Sequence, residues 1–259
     1  MRQALILAAG TGSRLQQDLP KCLVEVGGRR LLDHQLDAIE QAGAQRVTLV
    51  LGYEHEQVAD AAGGRAEVVL NERYAVTNSL YSFWLARDAV EGDLLVLNSD
   101  VLFAPELLGD LLAVEGSAIA FDSTSGDEDE HMKVSEHQGR LLRLGKELPP
   151  RHTCGESVGV AHLSTLAAAA AFAAAGSLVR RGHVDEWAAS AINEVALHHQ
   201  INCMDVAGQP WVEIDFPEDL VRARTHTWPA IAAFRKERRW ADGIGSAAIE
   251  PDDLREAMT

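Results

Sequence analysis

The run "RQALILA", followed at once by "AGTGSRL", limits what this chain can become more than any other stretch. An apolar run bounded by glycine and small polar residues reads as a strand buried on both faces. The turn after it, Gly10-Thr11-Gly12-Ser13-Arg14, lets backbone N–H groups close around an anion. Glycine permits the close approach, and Arg14 adds a charged fork. Two familiar phosphate loops are excluded by the letters themselves. No Gly-Lys-Ser/Thr ends the turn, and position 15, where a dinucleotide fingerprint needs a small residue, is Leu15. The apolar start has the look of a secretory signal. It runs straight into a charged glycine turn, so an opening strand is the expectation, and with it a cytoplasmic protein.

The pattern then alternates. "RRLLDHQLDAIEQAGA" has apolar residues at helical spacing and stops at Gly43. "RVTLVLG", "AEVVL", "DLLVLNSD" and "SAIAFD" read as strands. "EHEQVADAAGG", "NSLYSFWLARDAV" with Asn78 or Ser79 as its cap, and "PELLGDLLAV" read as helices. Such alternation predicts an α/β fold, Rossmann-like, with a mixed but mostly parallel sheet and helices on both faces. After Asp122 the character changes. "STSGDEDE" is an acidic loop, and "HMKVSEHQGRLLRLGKEL" is two strands around a turn. "ESVGVAHLS" is a strand, and "STLAAAAAFAAAG" and "VDEWAASAINEVALHH" are helices. "PWVEIDFPEDLVRARTH" is a strand, an acidic turn and a helix from Pro217. One domain is expected over residues 1–226, with a nucleotide-binding half at 1–122 and an acceptor-binding half at 123–226. From about Thr227 the period fades, and an interface arm or frayed tail is expected.

Charge and cysteine usage exclude several classes. The formal net charge is −16, which argues against non-specific nucleic-acid binding. No apolar run reaches the ~20 residues of a membrane span. Cys22, Cys154 and Cys203 are widely spaced, so free thiols are expected rather than disulfides or zinc ligands. His131, His152, His198 and His199 show no metal-ligand spacing, and "GDEDE" lacks the later residues of a calcium loop.

A second stretch, "LPKCLVEV", follows the glycine turn after a short spacer. The combination LAAG-x-G-[ST]-R-L, spacer, P-K-x-L resembles the nucleotidyltransferase family with a Rossmann-like fold (nucleotide-diphospho-sugar transferase-like). "TNSLYSFWLA", "HMKV", "ESVGV" and "EWAASAINE…VEID" narrow the likeness to bacterial choline-phosphate and phosphonate cytidylyltransferases, over roughly residues 3 to 225. The resemblance implies that Leu7, Ala8, Ala9, Gly10, Thr11, Gly12, Ser13 and Arg14 hold a triphosphate and that Lys21 reaches its α-phosphate. Nucleotidyl transfer builds charge on phosphate, so a divalent metal and carboxylates at strand ends are expected. Asp100 and Asp215 match the family positions that bind Mg²⁺. Ser99 joins the nucleotide set. Lys21, Arg14 and Asp100 carry the catalysis.

Further roles follow with less constraint. Thr77, Asn78 and Ser79 start a helix and offer groups to a cytosine edge or ribose, or simply cap the helix. Lys133 and Lys146 are expected to neutralise an acceptor phosphate or to be solvated strand lysines, and Glu156 to line its pocket or to stand exposed on its strand. Asp185, Glu186, Trp187 and Glu213, with Glu194 and Trp211 nearby, join acids to aromatics in the way an ammonium group is held. Arg180, Arg181 and His183, just upstream, suit an acceptor with a carboxylate instead. The implied function is Mg²⁺-dependent transfer of CMP from CTP to a small phosphate or phosphonate acceptor. A sugar-1-phosphate nucleotidyltransferase, an acceptor without an amine, a non-catalytic nucleotide-binding domain and a homodimer all stay open.

Overall fold

Alternating polar and apolar spacing gives way to solid apolar runs in the first half, and those runs form central strands. The computed structural model describes residues 2–126 and 128–241. In chain order the elements are β1 (Arg2–Ala8), β2 (Glu25–Val26), β3 (Arg29–Arg30), α1 (Leu31–Gln41), β4 (Arg46–Leu51), α2 (His55–Ala62) and β5 (Glu67–Leu70). There follow α3 (Ser79–Leu85), β6 (Asp93–Asn98), β7 (Val101–Phe103), α4 (Glu106–Ala113) and β8 (Ser117–Asp122). The second half contains β9 (Lys133–His137), β10 (Arg140–Gly145), β11 (Gly155–Leu163), α5 (Thr165–Arg180) and α6 (Ala189–Ala196). Last come β12 (Ile201–Asp205), β13 (Trp211–Glu213), α7 (Pro217–Arg222) and α8 (Trp228–Ala241).

Nine strands form one sheet in the order β5-β4-β1-β6-β11-β8-β12-β10-β9. The first four are mutually parallel, so their C-terminal ends and the loops leaving them lie along one edge. β11 runs antiparallel to both β6 and β8, and only β12 with β8 restores a parallel pair beyond it. The sheet is therefore mixed. The run of four parallel strands falls within residues 1–122, while β8 of the same stretch pairs with β11 and β12.

Helices cover both faces. α3, α5 and α6 pack on one side over Leu5, Leu7, Val50 and Ile119. α1, α2 and α4 pack on the other over Ile6, Leu49, Leu51 and Leu95. The alanine run of α5 lies close against α3, where Phe172 stacks on Phe83 at 4.4 Å. Two segments differ from expectation. Residues 183–188 do not join α6, which begins at Ala189; their backbone instead meets the start of α3 through Asn78 N–H to Val184 and Leu80 N–H to Glu186. From Trp228 to Ala241 the chain is not frayed. α8 continues from α7 through a wide turn, and Ile231 is buried in a third apolar cluster with Leu15, Val26 and Ile214. Arg235 and Arg238 pair with Glu106 and Asp110 of α4. The expectation of an extension covers residues 242–259 as well, which lie outside the described residues. No helix among the described residues is long and apolar enough to cross a membrane.

Candidate active site

The loop after β1 folds as its glycines require. Gly12 takes φ 62°, a left-handed conformation that suits glycine. A Cβ there would stand 2.8 Å from Cγ of Lys21, so the turn and Lys21 pack directly on each other. Ser13–Leu15 form a short turn of 3₁₀ helix, and Leu15 anchors it in the third cluster. Pro20 precedes a second such turn that starts at Lys21.

A carboxylate pair meets Lys21 from two distant segments. Lys21 Nζ lies 3.1 Å from Asp100 Oδ2 and also bonds Asp215 Oδ1. β7 and β13 make this meeting possible. They pair antiparallel directly after Asp100 and two residues before Asp215, and Ile214 N–H donates to the Asp100 carbonyl at 2.8 Å. Asp219 then fixes the turn at Asp215, accepting from the N–H groups of Asp215 and Phe216. Arg14 reaches the other oxygen of Asp215 at 2.7 Å and lies over the Phe216 ring.

Glu213 belongs with these acids. The carboxylates of Asp100, Glu213 and Asp215 each place one oxygen within 4.8 Å of the others. Burial, then the charges of Asp100 and Asp215, pushes the Glu213 carboxyl up to about 8. Burial alone would lower the Lys21 ammonium; Asp100 and Asp215 outweigh it and hold the pKa above its ordinary value. Three oxygen donors crowded at this density suit a hard divalent cation such as Mg²⁺. The sequence placed Glu213 with the acceptor. Its spacing from Asp215 held the better signal, because residues two apart on an extended segment share a face.

One cavity of about 370 Å³ joins these groups. It is lined by Leu7 to Arg14, Lys21, Thr77, Asn78, Ser79, Ser99, Asp100, Lys146, Trp187, Glu213 and Asp215, which brings the whole expected nucleotide set together. Asn78 caps α3 by accepting from Ser79 N–H, so its capping role is realised. The acceptor set is only partly assembled. Lys146 and Trp187 line the cavity, with the ammonium 5.3 Å from the ring centroid. Lys133 is buried and spends its ammonium on the Lys146 carbonyl at 2.8 Å. Glu156 is buried against Ser125 and His131, and burial raises its pKa. Glu186 pairs with His183 at 2.7 Å. Neither Asp185 nor Glu186 lines the cavity, nor do Arg180 and Arg181. Trp211 donates to Asp122 at 2.9 Å as part of the fold, and Glu194 is exposed on α6.

Sequence reasoning missed Glu130, read only as part of an acidic loop. Its carboxylate bridges Arg14 at 2.9 Å and Lys146 at 3.1 Å. It also missed Asn71, Tyr74 and Ser82, which line the cavity beyond β5. Gly52 allows that approach: a Cβ there would stand 2.6 Å from the Ala9 carbonyl and 2.5 Å from Cβ of Tyr74. All three cysteines are free, and burial pushes the Cys22 thiol up to about 12, which makes it inert.

The chain is 29% identical over 232 residues to the bifunctional IPC transferase and DIPP synthase of Aquifex aeolicus, covering 86% of this chain and 51% of that protein. It is 40% identical over 127 residues to the CMP-5'-(3-aminopropyl)phosphonate synthase of Streptomyces rubellomurinus, covering 46% of this chain and 20% of that one. It thus spans about half of the first relative and a fifth of the second. Among solved structures, the inositol-1-phosphate CTP transferase from T. maritima superposes with a TM-score of 0.73 at 22% identity, covering 91% of this chain and 97% of that one. The CTP:phosphocholine cytidylyltransferase from Streptococcus pneumoniae gives 0.71 at 20%, covering 86% and 97%. Both share the fold described above. A family match extends over residues 4–239, nearly the whole described chain and past the boundary expected at 226, and by it the chain belongs to the family of the MobA-like NTP transferase domain.

Proposed function

We propose that this chain transfers a cytidylyl group from CTP to a small phosphate or phosphonate acceptor, with Mg²⁺ or a similar divalent cation, and releases pyrophosphate. One observation carries the reading. The glycine turn, Lys21, the three acids and Lys146 line a single cavity. This arrangement supports a reading in which a donor triphosphate and an anionic acceptor share one cavity. The names of the relatives, which include a CMP-phosphonate synthase and the CTP:phosphoglutamine cytidylyltransferase of Campylobacter jejuni, support the choice of base and of acceptor class.

The chemistry asks for positioning and charge stabilisation more than for proton transfer. Arg14 and the N–H groups of the turn hold the β- and γ-phosphates. Lys21 leaves Asp100 and Asp215 to meet the α-phosphate and takes up charge as the acceptor oxygen attacks in line. Lys146 aligns the acceptor. A phosphate monoester, with a second pKa of about 6, is already largely dianionic, so no general base is required. When bound, the divalent cation held by Asp100, Asp215 and Glu213 supplies charge neutralisation on the phosphates.

The test is pyrophosphate release with each of four NTPs, Mg²⁺ and a panel of acceptors. The panel contains choline phosphate, 2-aminoethylphosphonate, inositol phosphate and glucose 1-phosphate. Turnover with CTP and a small phospho- or phosphono-acceptor is expected. Turnover only with UTP, GTP or dTTP and the sugar phosphate identifies a sugar-1-phosphate enzyme instead. Pyrophosphate release from no NTP defeats the proposal.

A further inference from the structure

A buried amide stands between the end of β5 and helix α3. Asn71 is 1% exposed and lines the cavity. Its Oδ1 accepts from the backbone N–H of Arg73 at 3.0 Å. A backbone N–H can only donate, so this contact fixes which end of the amide is oxygen. The Nδ2 group then donates both of its hydrogens, to Thr77 Oγ1 at 3.1 Å and to Ser82 Oγ at 3.0 Å. Thr77 spends its own proton on the Arg73 carbonyl at 2.9 Å. Ser82 does not. Its side chain is buried, it lines the same cavity, and its proton has no acceptor among the described residues. A buried O–H without an acceptor is costly, and a ligand edge in the cavity removes that cost.

The sheet order says which part of a nucleotide reaches this place. Asn71 follows β5, and Ser82 lies on α3, which packs over β1 and β4. The phosphate turn follows β1, and the acids lie beyond it, after β6 and at β13. The base of the donor is left with the β4 and β5 side. We infer that Asn71 is a positioning residue that aims the Ser82 hydroxyl proton at the nucleobase and favours a ring-nitrogen acceptor there. This rests on the cytidylyl-transfer reading. Cytosine presents an acceptor at N3, whereas uracil presents an N–H at the same point. Against uracil, Ser82 must turn its proton away, with one of its two lone pairs already taken by Asn71.

Asn71→Asp keeps the shape and the Arg73 contact but only accepts. Ser82 and Thr77 must then turn their protons toward it. The expected result is a CTP KM raised about tenfold, a kcat within about twofold, an unchanged acceptor KM and a weakened preference for CTP over UTP. Ser82→Ala gives the same CTP loss, and the double variant loses no more than either single one, because the two act through one hydrogen bond. Melting curves accompany each variant. Where Asn71→Asp does not fold, Ser82→Ala decides alone: an unchanged CTP KM overturns the inference. Additive losses overturn it too, as does a loss spread equally over kcat and the acceptor KM. Absence of CTP turnover in the wild-type chain defeats the proposed function itself, a result these variants cannot mimic.

Discussion

Lys21 faces two carboxylates at bonding distance, with Glu213 just behind them. Its side chain is 13% exposed, so these charges are weakly screened. Asp215→Asn removes one acid, loosens both Lys21 and Arg14, and weakens the cation site. A fall in kcat of roughly 10²–10³ is expected, the scale of losing one preorganised charge contact. A chelator should abolish wild-type turnover, with recovery on adding Mg²⁺, and titration calorimetry of Asp215→Asn should show weaker Mg²⁺ binding. Unchanged turnover in this variant removes Asp215 from the mechanism. Lys21, Asp100 and Asp215 were readable because each sits at a strand end or beside a proline in a recognisable phrase. Glu130 was not. Its partner Arg14 is 116 positions away, and nothing local marks one acid in "GDEDE" above its neighbours.

At the level of elements, what was legible follows the range of the signal. β1, α1 and β4 carry dense apolar periods, and their burial matches those periods. β7 and β13 are three residues each and have no period to read, yet their pairing is what brings Asp100 to Asp215. The same holds for residues 183–188, whose helical spacing was overridden by backbone bonds to the start of α3. The glycine turn lies between these cases: its sequence announces a loop, and the geometry says why glycine is required. Gly12→Ala adds strain of about 1 kcal/mol at a positive φ and drives a Cβ into Cγ of Lys21. A kcat/KM lower by about tenfold or more is expected, with only a small drop in melting temperature. A large loss of stability with unchanged kcat/KM would place the turn outside the site.

Across the whole molecule, acid stability and the C-terminal helix are read on different faces. His162 on β11 is buried. Burial holds its pKa below the usual histidine value; Asp93 pulls upward and Arg2 downward. The unfolded chain therefore takes up a proton near pH 6.5 that the folded chain refuses. That contribution is complete above pH 6.5 and is lost as pH falls toward the folded pKa. Burial lowers His34 in the same way. The melting temperature should drop between pH 7 and pH 5, and less steeply in His162→Gln. The third apolar cluster joins stability to function. It contains Leu15 beside Arg14, Ile214 beside Asp215, and Val24 beyond Lys21, together with Ile231 of α8. A helix in the segment expected to be an interface arm or frayed tail thus packs in the cluster behind three charged groups of the site, and Trp228 of the same helix lies against Gly27. Ile231→Ala should cost about 2–5 kcal/mol. The truncation leaves its space in the cluster that contains Leu15 and Ile214. Hydrogen exchange should therefore rise first at residues 12–15 and 212–215, with Mg²⁺ affinity falling in step. Uniform exchange across the sheet with unchanged Mg²⁺ affinity would show that α8 supports the fold and leaves the site alone.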